Sequence, residues 1–266
     1  MRSLLRADFK RVLKDKLLLV LGILAVAFAL MTPALYAVLL ASIGAEQEPL
    51  LSGPTSAKTQ FFGTFSMGNN LGLIVPVLLG IVLCKDFSYG TVRNKIIAGK
   101  SRTQIFLSMF CTCAVVLCAV MLLYAFLTLG VSLLFFEYQP TAFTGEDFLY
   151  FLVSLGFELL VLLWMAALLS CLCACAKNAG IAIVLYIAVT FALVIVGSIV
   201  QMAHSLLQTD WLYFLDRINV GTAVNHIGMG NSYTWEDALY LTLPALLGIF
   251  GFIGLGISTF RKKDLK

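Results

Sequence analysis

The sequence predicts an all-α integral membrane protein with six transmembrane helices and both termini in the cytoplasm. Three observations carry this. The 266 residues are 61% hydrophobic and 12% charged, where a soluble domain has roughly 45–50% apolar and about 25% charged residues. Six apolar segments each reach the ~20 residues that a helix needs to cross a bilayer. Lysines and arginines crowd into alternate loops, which orients the spans. A β-barrel is excluded, because its strands would alternate in segments of about 10 residues.

The spans are expected near Leu17–Leu40, Phe61–Leu83, Ile105–Phe136, Phe148–Ala176, Ile181–Met202 and Ala238–Phe260. On one side lie six cations in residues 1–16, five in the loop after span two, Lys177, and Arg261, Lys262, Lys263 and Lys266 in the tail. The other side has only Lys58 and Arg217. Nine acids lie on that Lys/Arg-poor side: Glu46, Glu48, Glu137, Glu146, Asp147, Asp210, Asp216, Glu236 and Asp237. The apolar run after Lys16 exceeds the 7–15 residues of a signal-peptide core, so it reads as a span. The protein is placed in the cell (plasma or inner) membrane as a multi-pass chain.

Residues 1–16 predict an amphipathic helix with Leu5, Phe9, Val12 and Leu13 on one face. Such a helix lies in the membrane interface with its basic residues toward anionic lipid. It serves as an anchor, as an elbow that contacts a cytoplasmic partner, or as both. The loop at 41–60 contains Gly44, Pro49, Gly53 and Pro54 and reads as a turn. The acidic connection at 137–147 is shorter. Residues 203–237 are different: Trp211, Tyr213, Phe214, Tyr233 and Trp235 suit the headgroup region. Their spacing with Leu206, Leu207, Leu212 and Leu215 predicts re-entrant or interfacial helices between spans five and six, or an ordinary loop with aromatic anchors.

The most informative segment is the polar island between spans two and three, within residues 84–104. It holds Lys85, Asp86, Tyr89, Gly90, Thr91, Arg93, Lys95, Lys100 and Arg102. Thr91 is expected to cap a two-turn helix over Val92–Ala98, and Gly99 to end it. Ser101 and Gln104 have the spacing of a capping box opening span three. A solvated basic loop would explain the charges but not the caps. The stretch from Asn94 to Ser101 resembles half of a P-loop, yet its first glycine is replaced by Asn94 and no strand precedes it. No other stretch matches, so the chain is not expected to hydrolyse ATP.

Other candidates lie inside the spans. Glu158 is the only formally charged residue well inside one; an intramembrane carboxyl is costly and a functional candidate. It faces a cavity or an interface, takes up a proton, or is a neutral acid hydrogen-bonded to a neighbouring helix. Asn69 and Asn70, with Gly68, Gly72 and Pro76, are expected inside span two, as a cavity lining or a close helix contact. Pro33 and Pro244 are expected to bend spans one and six; Gly248, Gly251 and Gly254 allow close approach. The seven cysteines, including Cys171, Cys173 and Cys175, read as packing residues rather than disulfides or a metal site. His204 and His226 show no ligand pattern.

The island resembles that of the six-span permease subunits of ABC-2-type exporters, which tend to show an acidic residue, Gly-Thr-x-Arg, a short helix and a Ser-Arg pair. Asp86, Gly90-Thr91-Val92-Arg93 and Ser101-Arg102 match. Gly99-Lys100 stands where many members have a proline. The tail Phe260-Arg-Lys-Lys-Asp264-Leu and the overall layout also resemble that family. The resemblance implies one transmembrane domain over 1–266, paired with a second permease chain and with separate ABC ATP-binding subunits. ATP and magnesium would be bound there, and no cofactor here. The island would be a coupling helix using Asp86, Tyr89, Gly90, Thr91, Arg93, Lys95 and Arg102. Asn69, Asn70 and Glu158 would be pathway candidates. The implied substrate is a peptide, an antibiotic or another hydrophobic or amphipathic molecule; no nucleic-acid partner and no enzymatic role are expected. The alternatives are a secondary transporter or channel, and a stand-alone immunity or sensor protein.

Overall fold

The computed structural model describes residues 2–42, 56–139, 143–176, 178–207, 209–221, 227 and 234–262. Among these the chain is helical, with no strand. The helices are α1 (Arg2–Leu13), α2 (Lys16–Ser42), α3 (Ala57–Gly63), α4 (Asn70–Ser88), α5 (Thr91–Ile97), α6 (Arg102–Ser132), α7 (Gly145–Cys175), α8 (Ala179–Leu207), α9 (Asp210–Ile218) and α10 (Trp235–Lys262). Six of them (α2, α4, α6, α7, α8 and α10) are long and apolar enough to cross a membrane. The chain is a multi-pass membrane protein of the all-α class.

The core forms around α6 and α7, which bury Phe106, Leu117, Met121, Leu162 and Met165. Helix α2 packs on α6, α10 on α7, and α4 against both. Close approach is secured by glycine at two points on α10. A Cβ at Gly248 would lie 2.0 Å from Trp164 Nε1, and one at Gly256 would lie 2.3 Å from Phe106 Cζ. Gly251 and Gly254 face open space, so of the three glycines expected to give tight packing only Gly248 does. Pro33, Pro76 and Pro244 lie inside α2, α4 and α10.

The second span departs from expectation. Residues 61–63 belong to α3, a separate, buried helix capped by Ser56, whose hydroxyl accepts from Thr59 N at 3.2 Å. The chain then turns over 64–69 and starts again at Asn70. Polar residues make the break: Thr64 Oγ1 donates to Phe61 O at 2.6 Å, and Asn69 Nδ2 donates to Gly63 O at 2.9 Å. Asn69 is the N-cap of α4, and Asn70 is exposed in its first turn. Both therefore stand at the start of the span, where they were expected inside it. Phe61 is inserted between Phe126 of α6 and Phe151 of α7, with ring centroids 5.4 and 5.1 Å away. The end of the loop expected to be a simple turn is therefore a buried plug; residues 43–55 lie outside the described residues.

Span three ends at Ser132 rather than Phe136, and span five runs on to Leu207. Helix α9 packs on α8 and α10, buries Leu212 and exposes Trp211. Arg217 binds Asp237 at 2.5 Å, and Asn219 Nδ2 donates to Leu193 O at 2.9 Å. Tyr233, His226, Gly228 and Gly230 lie outside the described residues. The described cysteines form no disulfide, and no group of three or more His, Cys, Asp or Glu side chains is placed to hold a metal among the described residues.

The turn before α4 yields a test. A Cβ at Gly72 would stand 2.0 Å from the carbonyl oxygen of Ser66, whereas one at Gly68 would meet nothing within 4 Å. Gly72→Ala should cost about 1–3 kcal/mol, typical of overpacking against a group that cannot give way. Gly68→Ala should leave the thermal unfolding midpoint in detergent unchanged.

Candidate functional site

The polar island folds into a short helix between two capped joints. Gly90 is its N-cap, at φ +66°; glycine reaches this left-handed region without the strain a side chain would bring. This corrects the expectation for Thr91, which is the first helical residue and not the cap. At the other end Gly99 N donates to Ile96 O at 2.9 Å and Lys100 N to Lys95 O at 3.1 Å. With Gly99 at φ +77°, this is a Schellman motif. Ser101 and Gln104 complete their capping box and start α6 directly.

The inner side of α5 is bonded to α1 and α4, and through Asp8 of α1 to α6. Lys95 Nζ donates to Asp8 Oδ1 of α1 at 2.6 Å and to Asp86 Oδ2 of α4 at 3.1 Å. Arg11 of α1 pairs with Asp86, and Ser108 Oγ of α6 donates to Asp8 Oδ2 at 2.6 Å. Two carboxylates thus meet two cations, and Asp8 and Asp86 are both buried. Burial pushes the Lys95 ammonium below its ordinary value, while Asp8 pushes it back up. Beside this cluster, Lys85 binds Asp15 at 2.6 Å. Burial would raise the Asp15 carboxyl, but Lys85, the Leu17 N–H and Arg11 outweigh it, and the net shift is downward.

Arg102 closes the platform from the far side. Its Nη1 donates to Arg261 O at 2.8 Å and Phe260 O at 3.3 Å, placing a cation at the C-terminus of α10, where the helix dipole favours one. Phe87 packs edge-on against Phe260 at 5.9 Å.

The candidate coupling residues therefore divide. Asp86, Lys95 and Arg102 bind other parts of the same chain. Gly90 sets a backbone turn and Thr91 is half-buried. Tyr89 and Arg93 point outward, joined by Asn94 and Ile97; Tyr89 is 76% and Ile97 74% exposed. On α5, Arg93 and Ile97 stand one turn apart at i and i+4, away from buried Val92, and Tyr89 is exposed just before the Gly90 cap.

Asp8, Arg11, Asp15 and Ser108 were not legible as site residues. Their one signal is that Asp8 and Asp15 are the only acids among six cations in residues 1–16. Their partners also turn α1 away from its expected seating: the buried residues are Leu4, Asp8 and Val12, while Leu13 is 60% exposed.

Of the pathway candidates, Asn69 and Asn70 sit at the α4 turn. Glu158 lies thirteen residues into α7, roughly 20 Å from its start at 1.5 Å per residue, and is fully buried. Neither of its oxygens has a hydrogen-bond partner among the described residues. The platform and Glu158 are not brought together.

A family model described as a protein of unknown function, DUF2705, matches residues 49–266. The chain belongs to the DUF2705 family. The match spans α3 to α10, so within the platform it includes Asp86, Lys95, Arg102 and Ser108 but not Asp8 or Arg11. No curated protein matches the chain.

Lys95→Met would leave two buried carboxylates short of a partner. It should cost about 3–5 kcal/mol, as breaking a buried pair does, and should expose α1 to protease; Arg93→Met should stay within about 0.5 kcal/mol of wild type. The Asp15 pair has its own pH signature. Its folded carboxyl lies below the unfolded one, so its stabilisation is present above the ordinary carboxylate range, about pH 4, and is lost as pH falls through the folded value. Asp15→Asn should remove that part of the acid dependence of the melting temperature.

Proposed function

We propose that this DUF2705 chain is the membrane subunit of an ATP-driven exporter, with α5 as the helix that docks a separate ABC ATP-binding subunit. One observation carries the reading: exposed Arg93 and Ile97, with Tyr89 just before the Gly90 cap, sit on a helix whose other side is ion-paired into α1 and α4. A face held this way is presented rigidly, so a push on it is delivered to helices rather than absorbed by a loop. An aromatic, an arginine and an aliphatic side chain together are also the residue types that anchor protein interfaces. The sequence resemblance to ABC-2-type permeases names the partner. The ends joined at the platform would then be cytoplasmic, in the plasma or inner membrane, in keeping with the excess of Lys and Arg there. α1 would be the elbow helix, and α9 an external interfacial or re-entrant element.

In this reading the chain supplies the pathway and the mechanical linkage, and the partner supplies ATP hydrolysis. A second copy or a related chain completes the pathway. Helices α2, α8 and α10 keep long apolar faces exposed, including Ile23, Leu30, Val184, Ile199, Leu247 and Phe250, which would divide between that chain and lipid. The substrate class is a peptide, an antibiotic or another amphipathic molecule. A proton-coupled secondary transporter is the second reading, favoured by Glu158.

The test is co-expression with an ABC ATP-binding subunit encoded beside the chain. The wild type should retain it through purification. Arg93→Glu combined with Ile97→Asp should reduce retention at least tenfold without moving the melting temperature. Absence of a retained ATPase in the wild type, or equal retention by the variant, refutes the docking role. Reversing Asp86 and Lys95 is uninformative here, because both are buried in internal pairs.

A further inference from the structure

Two helices at the centre of the bundle carry buried residues in a strict four-residue repeat. On α6 they are Ser108, Thr112, Val116, Val120, Tyr124, Thr128 and Ser132; on α7 they are Tyr150, Ser154, Glu158, Leu162, Ala166 and Ser170. Each four-residue step advances about 40° around a helix of 3.6 residues per turn, so the repeats wind slowly around α6 and α7, while Tyr124–Thr128–Ser132 and Tyr150–Ser154–Glu158 each stay within about 80°, on one face. The two helices pack together and run antiparallel. Phe61 bridges Phe126 and Phe151 at one level, and Cys113 meets Ser170 at another. That register sets Tyr124 and Glu158 at similar depth.

Both stripes have the same asymmetry. From Glu158 toward the α6–α7 connection every position is polar: Ser154 and Tyr150 on one helix, Tyr124, Thr128 and Ser132 on the other. Ser132 continues the line by donating to Gln60 of α3 at 2.8 Å. Toward the platform the two repeats turn apolar, with Leu162, Ala166, Val120 and Val116, before polarity returns at Thr112 and Ser170.

Glu158 has no counter-charge near. The charged residues of the helices packed on α7 stand at helix ends: Arg102 on α6, Lys85 and Asp86 on α4, Glu236, Asp237, Arg261 and Lys262 on α10, and on α3 Lys58, whose ammonium lies over the Tyr150 ring at 4.6 Å, about two helical turns from Glu158. Between those ends, α4, α6, α8 and α10 offer only thiols (Cys84, Cys111, Cys113, Cys118), phenols (Tyr124, Tyr186, Tyr240) and, near the end of α8, His204. On α7 itself Glu146 and Asp147 lie in the first turn, Tyr150 just beyond, and three cysteines near the end. An ionised carboxylate without a donor or a cation is far costlier to bury than the neutral acid. A purely structural glutamate would show a hydrogen bond to a neighbour, and Glu158 shows none among the described residues.

We propose that Glu158 is a proton-binding site, loaded and unloaded through the polar stripe that leads to the α6–α7 connection, and closed toward the platform by Val116, Val120, Leu162 and Ala166. A proton is the cation that needs no cavity, in keeping with full burial. The site stands independently of the docking reading, because an exporter subunit and a secondary transporter can both carry it.

Dicyclohexylcarbodiimide, which enters the bilayer and reacts with protonated carboxyls, tests this on the full chain in sealed vesicles of one orientation. The peptide containing Glu158 should be modified at neutral pH, and Glu158→Gln should abolish that adduct. Raising the pH only on the side of the α6–α7 connection should reduce labelling about tenfold per pH unit beyond the midpoint; raising it only on the platform side should leave labelling unchanged. Ser154→Val should retain the adduct but slow its response to a pH jump several-fold. No adduct, an adduct insensitive to pH on both sides, or one that follows the platform side overturns the proposal. An unchanged rate in Ser154→Val overturns the route. The wild-type measurements decide the matter even if Glu158→Gln fails to fold.

Discussion

The cluster of Asp8, Arg11, Asp86 and Lys95 is the constraint on which the organisation of one whole end of the bundle depends. Taking Asp8, Asp86 and Lys95 out of water, with Arg11 left partly exposed, is costly, and the attraction among them offsets it only when every partner is present. Here the charges balance two against two, and the Ser108 hydroxyl supplies a further donor. Such a cluster adds little net stability compared with an apolar core, but it penalises any arrangement in which one member is missing. It therefore fixes which faces of α1, α4, α5 and α6 meet. Arg102 extends the same logic to α10 through bonds to two terminal carbonyls. Five helices share one ionic and polar seam, although α1 is separated from α5 by about eighty residues of chain.

Beyond that seam the bundle divides by burial. Helices α4, α6 and α7 supply most of the buried apolar residues, while α2, α8 and α10 bury a narrow strip each. In lipid there is no hydrophobic drive to bring the outer helices inward, so contact must come from shape. The structure supplies shape at specific points: Trp164 and Phe106 fill the surfaces left by Gly248 and Gly256, and Phe61 fills the space between α6 and α7. The wide apolar faces left outside are the surfaces expected of helices that meet lipid or another membrane chain.

The six spans were legible because length and apolarity are local properties, and the island helix because its glycines and the Ser101–Gln104 box are local chemistry. The break in span two was not. Phe61, Phe62 and Phe65 are as apolar as any span residue, and only the bonds of Thr64 and Asn69 to carbonyls of the preceding turn reveal that the helix stops. Thr91 was misplaced because sequence alone does not tell that the chain must reverse through positive φ at Gly90. The division of the island into inward Asp86 and Lys95 and outward Tyr89 and Arg93 was also hidden. It is decided by Asp8 and Arg11, long-range partners that no pattern within the island identifies.

That division alters what the island is able to do. A basic loop with all its charges in water would meet a partner through screened, adaptable contacts. Instead Lys95 holds α5 down, and the outward side is left with Tyr89, Arg93, Asn94 and Ile97. Specificity toward the proposed partner would then rest on shape and position more than on charge. Position is fixed at both ends: Gly90 joins α5 to α4 with no slack, and the Schellman turn passes within two residues into the capping box of α6. Helix α6 in turn carries Ser108 at the ionic seam and Tyr124 sixteen residues on, roughly 24 Å along one continuous rod. A displacement of α5 therefore has no loop in which to dissipate. It must either break the seam, at the cost of stranding a buried charge, or move α1, α4 and α6 with it.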